Sequence, residues 1–201
     1  MLKEKQTSSE ALFAVADSQQ GYFTTEQARQ AGYQDSTHPY HVRTKEWIRE
    51  WRGIYRLARF PYYAESQWVL YSLWSRNRSE KVQGVYSHET ALSLHDMTDI
   101  MPAKIHLTVP ESFRRSAAAP KVLILHRGVM PKADRETRQG YEVTRPLRTL
   151  LDVLAEGKFL EQELIRAGKD AVKKGLITYK ELHKRKPDPR QNAFLKSIAK
   201  S

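Results

Sequence analysis

The chain has 201 residues, of which 40% are hydrophobic and 10% aromatic, with a formal net charge of +11 and no cysteine. Length and apolar content support a buried core and exclude a disordered chain, the missing thiols exclude disulfides and thiolate-bound metal, and no apolar run is long enough to span a bilayer as a helix. The charge excess favours a polyanionic partner, because each neutralised phosphate releases condensed counterions.

The opening residues, MLKEKQTSSE, lack the apolar stretch of a signal peptide, so a cytoplasmic location is expected. Residues 9–18, SEALFAVADS, predict a short helix capped by Ser8 or Ser9, with Leu12, Val15 and Ala16 on one face and Gly21 ending it. Thr24 followed by Gln27 is the capping-box start of a second helix that stops at Gly32. A third helix starts near Asp35 or Ser36 and continues through YHVRTKEW with Val42 inward. Pro39 is tolerated in its first turn, where the backbone N–H groups have no intrahelical partner. Residues 47–57, WIREWRGIYRL, read as two short strands around an Arg52-Gly53 turn. This element order within about sixty residues is that of a winged helix-turn-helix. It marks 1–60 as a first, DNA-binding domain, with RFPYYAES as the linker, since Pro61 cannot sit inside a strand.

Residues 65–201 read as a larger mixed α/β domain, making the whole chain α+β. ESQWVLYSLWSRN is an amphipathic helix with Trp68, Val69 and Leu73 on one side, and SHETALSLHDM is a short helix capped by Ser87. KIHLTVP and KVLILHR read as strands, and YEVTRPLRTLLDVLAE as a strand entering a helix with Pro146 in its first turn. FLEQELIRAGKDAVKKG is a helix ending at Gly175, and Thr178 with Glu181 forms another capping box. The basic, proline-broken tail after it is expected to be partly disordered. Net charge is +2 over residues 1–60, −2 over 61–102, +6 over 103–148, −2 over 149–157 and +7 over 158–201. Most of the excess therefore lies in the second domain, where Arg114, Arg115, Arg145, Arg148, Lys173 and Lys174 are candidates for extended phosphate contact, or equally for a solvated basic surface.

In a helix-turn-helix the first residues of the recognition helix meet base edges while flanking residues hold phosphates. Here Ser36, Thr37, His38 and His41 are the candidate base readers. Tyr40, Arg43 and Lys45 on the same helix, with Arg49, Arg52 and Arg56 on the wing, are candidate phosphate or minor-groove contacts. Tyr40 also suits packing, and His38 an exposed first-turn position. Trp47, Trp51 and Ile54 read as hairpin core. A winged helix that docks a protein is the alternative.

The remaining chemistry-bearing residues do not assemble into a known catalytic pattern. A zinc-protease helix needs a second histidine where Leu92 stands after His88-Glu89. His88 and His95 are two turns apart on one helix, too far for one ion, while His106 and His126 read as cross-strand surface residues. Ser87 beside His88 has no nucleophile elbow, and there is no phosphate-binding glycine loop. No catalytic residue, metal or cofactor is expected. The competing enzyme reading, a metal-dependent nuclease or transferase, would draw on Glu89, Asp96 and Asp99.

Four segments, GYFTTEQARQAGY, THPYHVRTKEWIREWRGIYRLARFP, VYSHETALSLHDMTDIMPAKIHLTVP and YEVTRPLRTLLDVL, in that order over residues 10–185, resemble the AbiEi-type antitoxins of bacterial type IV toxin–antitoxin systems. The resemblance implies a winged helix that binds inverted repeats in its own promoter and represses it, with Ser36, Thr37, His38, His41, Arg43 and Lys45 on the recognition helix and Arg52-Gly53 on the wing. It also implies a second domain acting against a nucleotidyltransferase-like toxin without forming a stable complex with it, and no membrane partner.

Overall fold

Thr7 starts the first helix, α1 (Ser8–Ser18), by reciprocal capping with Glu10: its hydroxyl accepts the Glu10 N–H and its own N–H donates to the Glu10 carboxylate at 2.8 Å. The cap falls just before the serines the sequence suggests, because Glu10 is the acidic residue three positions on. The computed structural model describes residues 7–99, 101–115, 118–184 and 188–200, which divide into a unit running to Gly84 plus Thr137–Tyr141 and a unit of Val85–Glu136 plus Glu142 onward. It is a mixed α+β structure with two sheets.

In the first unit, β1 (Tyr22–Thr24) leads directly into α2 (Thr25–Gln30), where Thr24 and Gln27 make the expected capping box. The third helix is shorter than its periodicity suggests. A 3₁₀ turn, Asp35–Thr37, precedes α3 (His38–Arg43), and Lys45 at φ 59° turns the chain into β2 (Trp47–Trp51). Gly53, at φ 70°, closes the hairpin to β3 (Ile54–Leu57), which lies between β2 and β1 in an antiparallel sheet. The core joins Leu12 and Ala16 of α1 to Phe23, Ala28, Trp47 and Tyr55. Helix α4 (Ser66–Trp74) belongs to this unit. Arg76, just beyond it, donates to the Gly53 carbonyl at 3.0 Å, and the Ser75 hydroxyl accepts from Gly84 N–H at 2.8 Å. These bonds tie the chain as far as Gly84 to the first sheet, so the compact unit extends past the 59–66 segment.

The second unit is built on a mixed sheet of order β6-β5-β4-β8-β7, with β4 at Val85–Tyr86, β5 at Ile105–Val109, β6 at Leu123–Arg127, β7 at Arg135–Arg138 and β8 at Tyr141–Thr144. The turn of the last hairpin is counted with the first unit. α5 (His88–Leu94) and α6 (Pro146–Glu156) lie together, and Leu147, Leu150, Leu151 and Leu154 give α6 its buried stripe. Ser87 occupies the cap position of α5, but its hydroxyl makes no cap bond there. α7 (Glu161–Lys173) and α8 (Tyr179–Lys184) follow, the latter opened by the Thr178–Glu181 capping box. The expectation of a partly disordered tail needs correction for residues 188–200. Asp188 caps α9 (Pro189–Ala199), which buries Phe194, Leu195 and Ile198 in the core of α6 and α7. The rest of the tail falls partly on residues outside those described. Among the described residues, no helix is long and apolar enough to cross a membrane.

Candidate nucleic-acid interface

Trp47 organises the surface that the sequence marks for nucleic acid. It is buried at the start of β2, edge-on to Phe23 with ring centroids 4.8 Å apart, and its other contacts fix the side chains of α3. His41 stacks on it at 4.6 Å and 20°, and its Nδ1 lies 2.6 Å from the Glu46 carboxylate. His38 packs against Trp47 at 5.2 Å and Tyr55 at 5.8 Å and is 3% exposed. Burial holds its pKa below the ordinary imidazole value, and its Nε2 has no hydrogen-bond partner among the described residues. His38 is therefore not a base reader: the first turn of α3 points this ring into the core, because Pro39 and Tyr40 take the outward positions. Thr37 is half-buried and donates its hydroxyl to the Gln34 carbonyl at 2.7 Å, while Ser36 is exposed. Tyr40 is 52% exposed and carries the Arg43 guanidinium 5.8 Å above its ring, so it is a surface residue, not a packing one.

The basic residues separate into two kinds. Arg43, Lys45, Arg49 and Arg52 are exposed and make no ion pair among the described residues. The Arg52-Gly53 turn is held from inside, since the Gly53 carbonyl accepts both Thr25 N–H at 3.1 Å and Arg76 at 3.0 Å. Arg56 differs. Its guanidinium pairs with Glu50 at 2.9 Å, sits 5.1 Å over the Tyr62 ring and is only 11% exposed, so it does not serve as a free phosphate ligand. On a strand two-residue alternation separates Arg56 from its neighbours, and it falls on the side occupied by Glu50. Trp51 is the converse case: expected in the core, it is 37% exposed, past the irregularity in β2 between Arg49 and Trp51. Arg29 is bound to Glu26 and Asp35.

In the second unit several candidate cations are also engaged. Arg148 pairs with Asp134 at 2.9 Å and Asp152 at 2.7 Å, Arg114 donates to the carbonyls of Glu111 and Phe113, and Lys174 donates to that of Asp96. Arg145 lies 4.0 Å from Glu181, Lys173 is exposed, and Arg115 is half-buried with partners of its own. The acidic residues of the enzyme reading do not converge. Glu89 lies 3.9 Å from His106 near the start of α5, whereas Asp96 and Asp99, beyond its other end, line a recess with Asp170.

Three histidines do converge. His106 on β5 is 2% exposed, not a surface residue, and its Nδ1 lies 3.0 Å from Nε2 of His126 on β6. The parallel register sets His106 opposite Ile124 and Thr108 opposite His126, so the two rings share one face of the sheet. His88, the first residue of α5, lies at φ 51°, and its ring stacks on that of His126 with centroids 3.5 Å apart and planes 10° apart. Ligand nitrogens of all three fall within 4.8 Å of one another. Burial, helped by His126, pushes His88 down to about 3, and burial also lowers His106 and His126. Burial thus favours the neutral form of all three rings. His95 is elsewhere, buried with Nε2 2.7 Å from the Thr144 carbonyl. The sequence separates these histidines by 18 and 20 residues, and only the β5–β6 register brings them together.

No protein-family model matches the chain, and comparison with curated proteins finds no match. Among solved structures, the chain is similar to the crystal structure of the RV2827C protein from Mycobacterium tuberculosis, with a TM-score of 0.58 at 14% identity over 97% of this chain and 79% of that one. The likeness is one of fold.

Proposed function

We propose that the chain is a sequence-specific DNA-binding transcriptional repressor and the antitoxin of a type IV toxin–antitoxin operon, and that it is not an enzyme. In this reading the first unit is a winged helix-turn-helix, with α2 and α3 as the helix pair and β2–β3 as the wing. The observation that carries it is a group of exposed cations, Arg43, Lys45, Arg49 and Arg52, on α3, the turn after it and the hairpin, with no anionic partner among the described residues. Paired cations add little to phosphate binding, since a carboxylate already neutralises them; these four have their charge available. Ser36 at the start of the segment and the remaining ring nitrogen of His41 are the base-reading groups, with Tyr40 reaching a phosphate. The antitoxin role rests on the resemblance carried by the four sequence segments, with a nucleotidyltransferase-like toxin as functional counterpart and no stable complex with it.

Selection of bound duplexes from a random pool at fixed salt tests the DNA-binding role. A pair of enriched inverted half-sites is expected. Absence of any duplex shift at low salt overturns the reading and favours a protein-docking role for the same surface. Co-expression with the toxin tests the second role: growth rescue without co-purification is the expected pair of results.

A further inference from the structure

We propose that His88, His106 and His126 form a binding site for a first-row divalent transition-metal ion, zinc by its donor chemistry, in the second unit. The three rings come from separate elements, the start of α5 and the strands β5 and β6, and a ligand nitrogen from each lies within 4.8 Å of the others. Imidazole nitrogen suits zinc, copper, nickel and cobalt, whereas magnesium and calcium require oxygen cages that this group does not offer.

One nitrogen pair already stands near the spacing such an ion requires, and the third ring lies beside it. Tetrahedral zinc with Zn–N bonds of about 2.0–2.1 Å separates its ligand nitrogens by about 3.3–3.4 Å. The His106 Nδ1–His126 Nε2 pair, at 3.0 Å, has to open by a few tenths of an ångström, and the His88 ring, stacked on His126 with planes 10° apart, has to turn out of that stack so that its in-plane lone pair meets the same point. Two neutral imidazoles facing each other in this way share one proton; on metal binding that proton would move to the far nitrogen of its own ring, His106 Nε2 or His126 Nδ1, and the ion would take its place between the rings.

The surroundings orient the His88 ring as a metal-bound histidine is oriented. Ser87 Oγ lies 2.9 Å from His88 Nδ1 and itself accepts from the Thr108 hydroxyl at 2.8 Å, so Nδ1–H can donate there and leave Nε2 with its lone pair. The Glu89 carboxylate stands 3.9 Å from His106 Nε2, the nitrogen turned away from the site, too far for a direct hydrogen bond but near enough for its charge to favour a proton there. The Glu156 charge acts on all three rings, and its Oε2 is buried with no hydrogen-bond partner among the described residues. Its second oxygen holds Lys158 at 2.7 Å. Three histidines leave the fourth position of a tetrahedral ion open for water or for this carboxylate. The ion would cross-link α5, β5 and β6, and the assignment is independent of the DNA-binding reading.

The test uses the full chain, stripped with chelator and titrated with Zn²⁺ against a chromophoric competitor, then with Co²⁺ for its visible absorption. One ion per chain is expected. His126→Gln and His88→Gln should each weaken binding by more than the roughly 10–100-fold typical of losing a supporting hydrogen bond. His183→Gln, at an exposed position, should bind as the unaltered chain does. Imidazole ¹⁵N shifts of the unaltered protein provide a readout free of folding effects: zinc should move Nδ1 of His106 and Nε2 of His126. No retained zinc and no cobalt band, binding undiminished in both variants, or ¹⁵N shifts unmoved by zinc would each overturn the proposal.

Discussion

Arg52 and Arg56 stand on one hairpin with the same charge, and their truncation should have opposite consequences. Arg52 is exposed at the turn with no ion pair among the described residues, whereas Arg56 is held by Glu50 at 2.9 Å and by the Tyr62 ring. Each lost phosphate contact should reduce the slope of log K against log salt by about 0.9. Between about 50 and 200 mM salt that is a factor of about 3.5 in affinity for Arg52→Ala, and about 150 for Arg43, Lys45, Arg49 and Arg52 removed together. Arg56→Ala should leave the slope unchanged and instead cost about 1–2 kcal/mol of stability, because it strands a half-buried Glu50. Fluorescence anisotropy on one duplex at several salt concentrations gives the slope, and urea unfolding gives the stability. Equal loss of slope from Arg52→Ala and Arg56→Ala would refute the division into free and engaged cations. An unaltered slope in the fourfold variant would refute the interface itself.

Three further outcomes follow from the packing. Phe194→Ala, at a ring fully buried in the core of the second unit, should cost about 3–5 kcal/mol in urea unfolding; a loss under 1 kcal/mol would mean that the tail is not part of that core. Gly168→Ala should destabilise by about 1–3 kcal/mol even though helix propensity alone favours alanine by about 1 kcal/mol, since the new Cβ would meet Ile198 Cδ1 at 2.5 Å and Cγ1 at 2.7 Å; measured stabilisation would contradict the close approach of α7 and α9. His38 remains neutral in the folded state below the pH at which it takes a proton in the unfolded chain, near 6.5, so its contribution is complete above that pH and is lost as pH falls through it, by up to about 1.4 kcal/mol per pH unit. His38→Phe should flatten the acid limb of stability against pH, and an unchanged limb would show that His38 is not held neutral by burial.

The parts of this structure legible in the sequence are those set by near neighbours. Thr24 with Gln27 and Thr178 with Glu181 announce helix starts because both partners of each capping box lie within one turn. Gly53 announces a hairpin because its positive φ is a property of one residue. Pro39 and Pro146 fit first turns for the same local reason. Strands β1 and β4 escaped the reading because three and two residues are too few to show alternation. β5 alternates in sequence, with His106 and Thr108 on one face and Ile105, Leu107 and Val109 on the other, which suggests a solvated polar face; the strand is buried at all five positions because that face is covered too, and neither this cover nor the register of β6 is written in the alternation.

Taken alone, the sequence determined the +11 charge, the lack of thiols, the α+β class and the placement of most helices and of the hairpin. Tertiary structure decided which charges are available and which histidines meet. Arg52 and Arg56 look alike as letters and differ only because Glu50 and Tyr62 fold over one of them. His38 looks like a base reader until Trp47 and Tyr55 enclose it. The distinction follows from range: caps and turns are fixed by bonds between residues three or four apart, whereas burial and ion pairing depend on which distant strands and helices pack together.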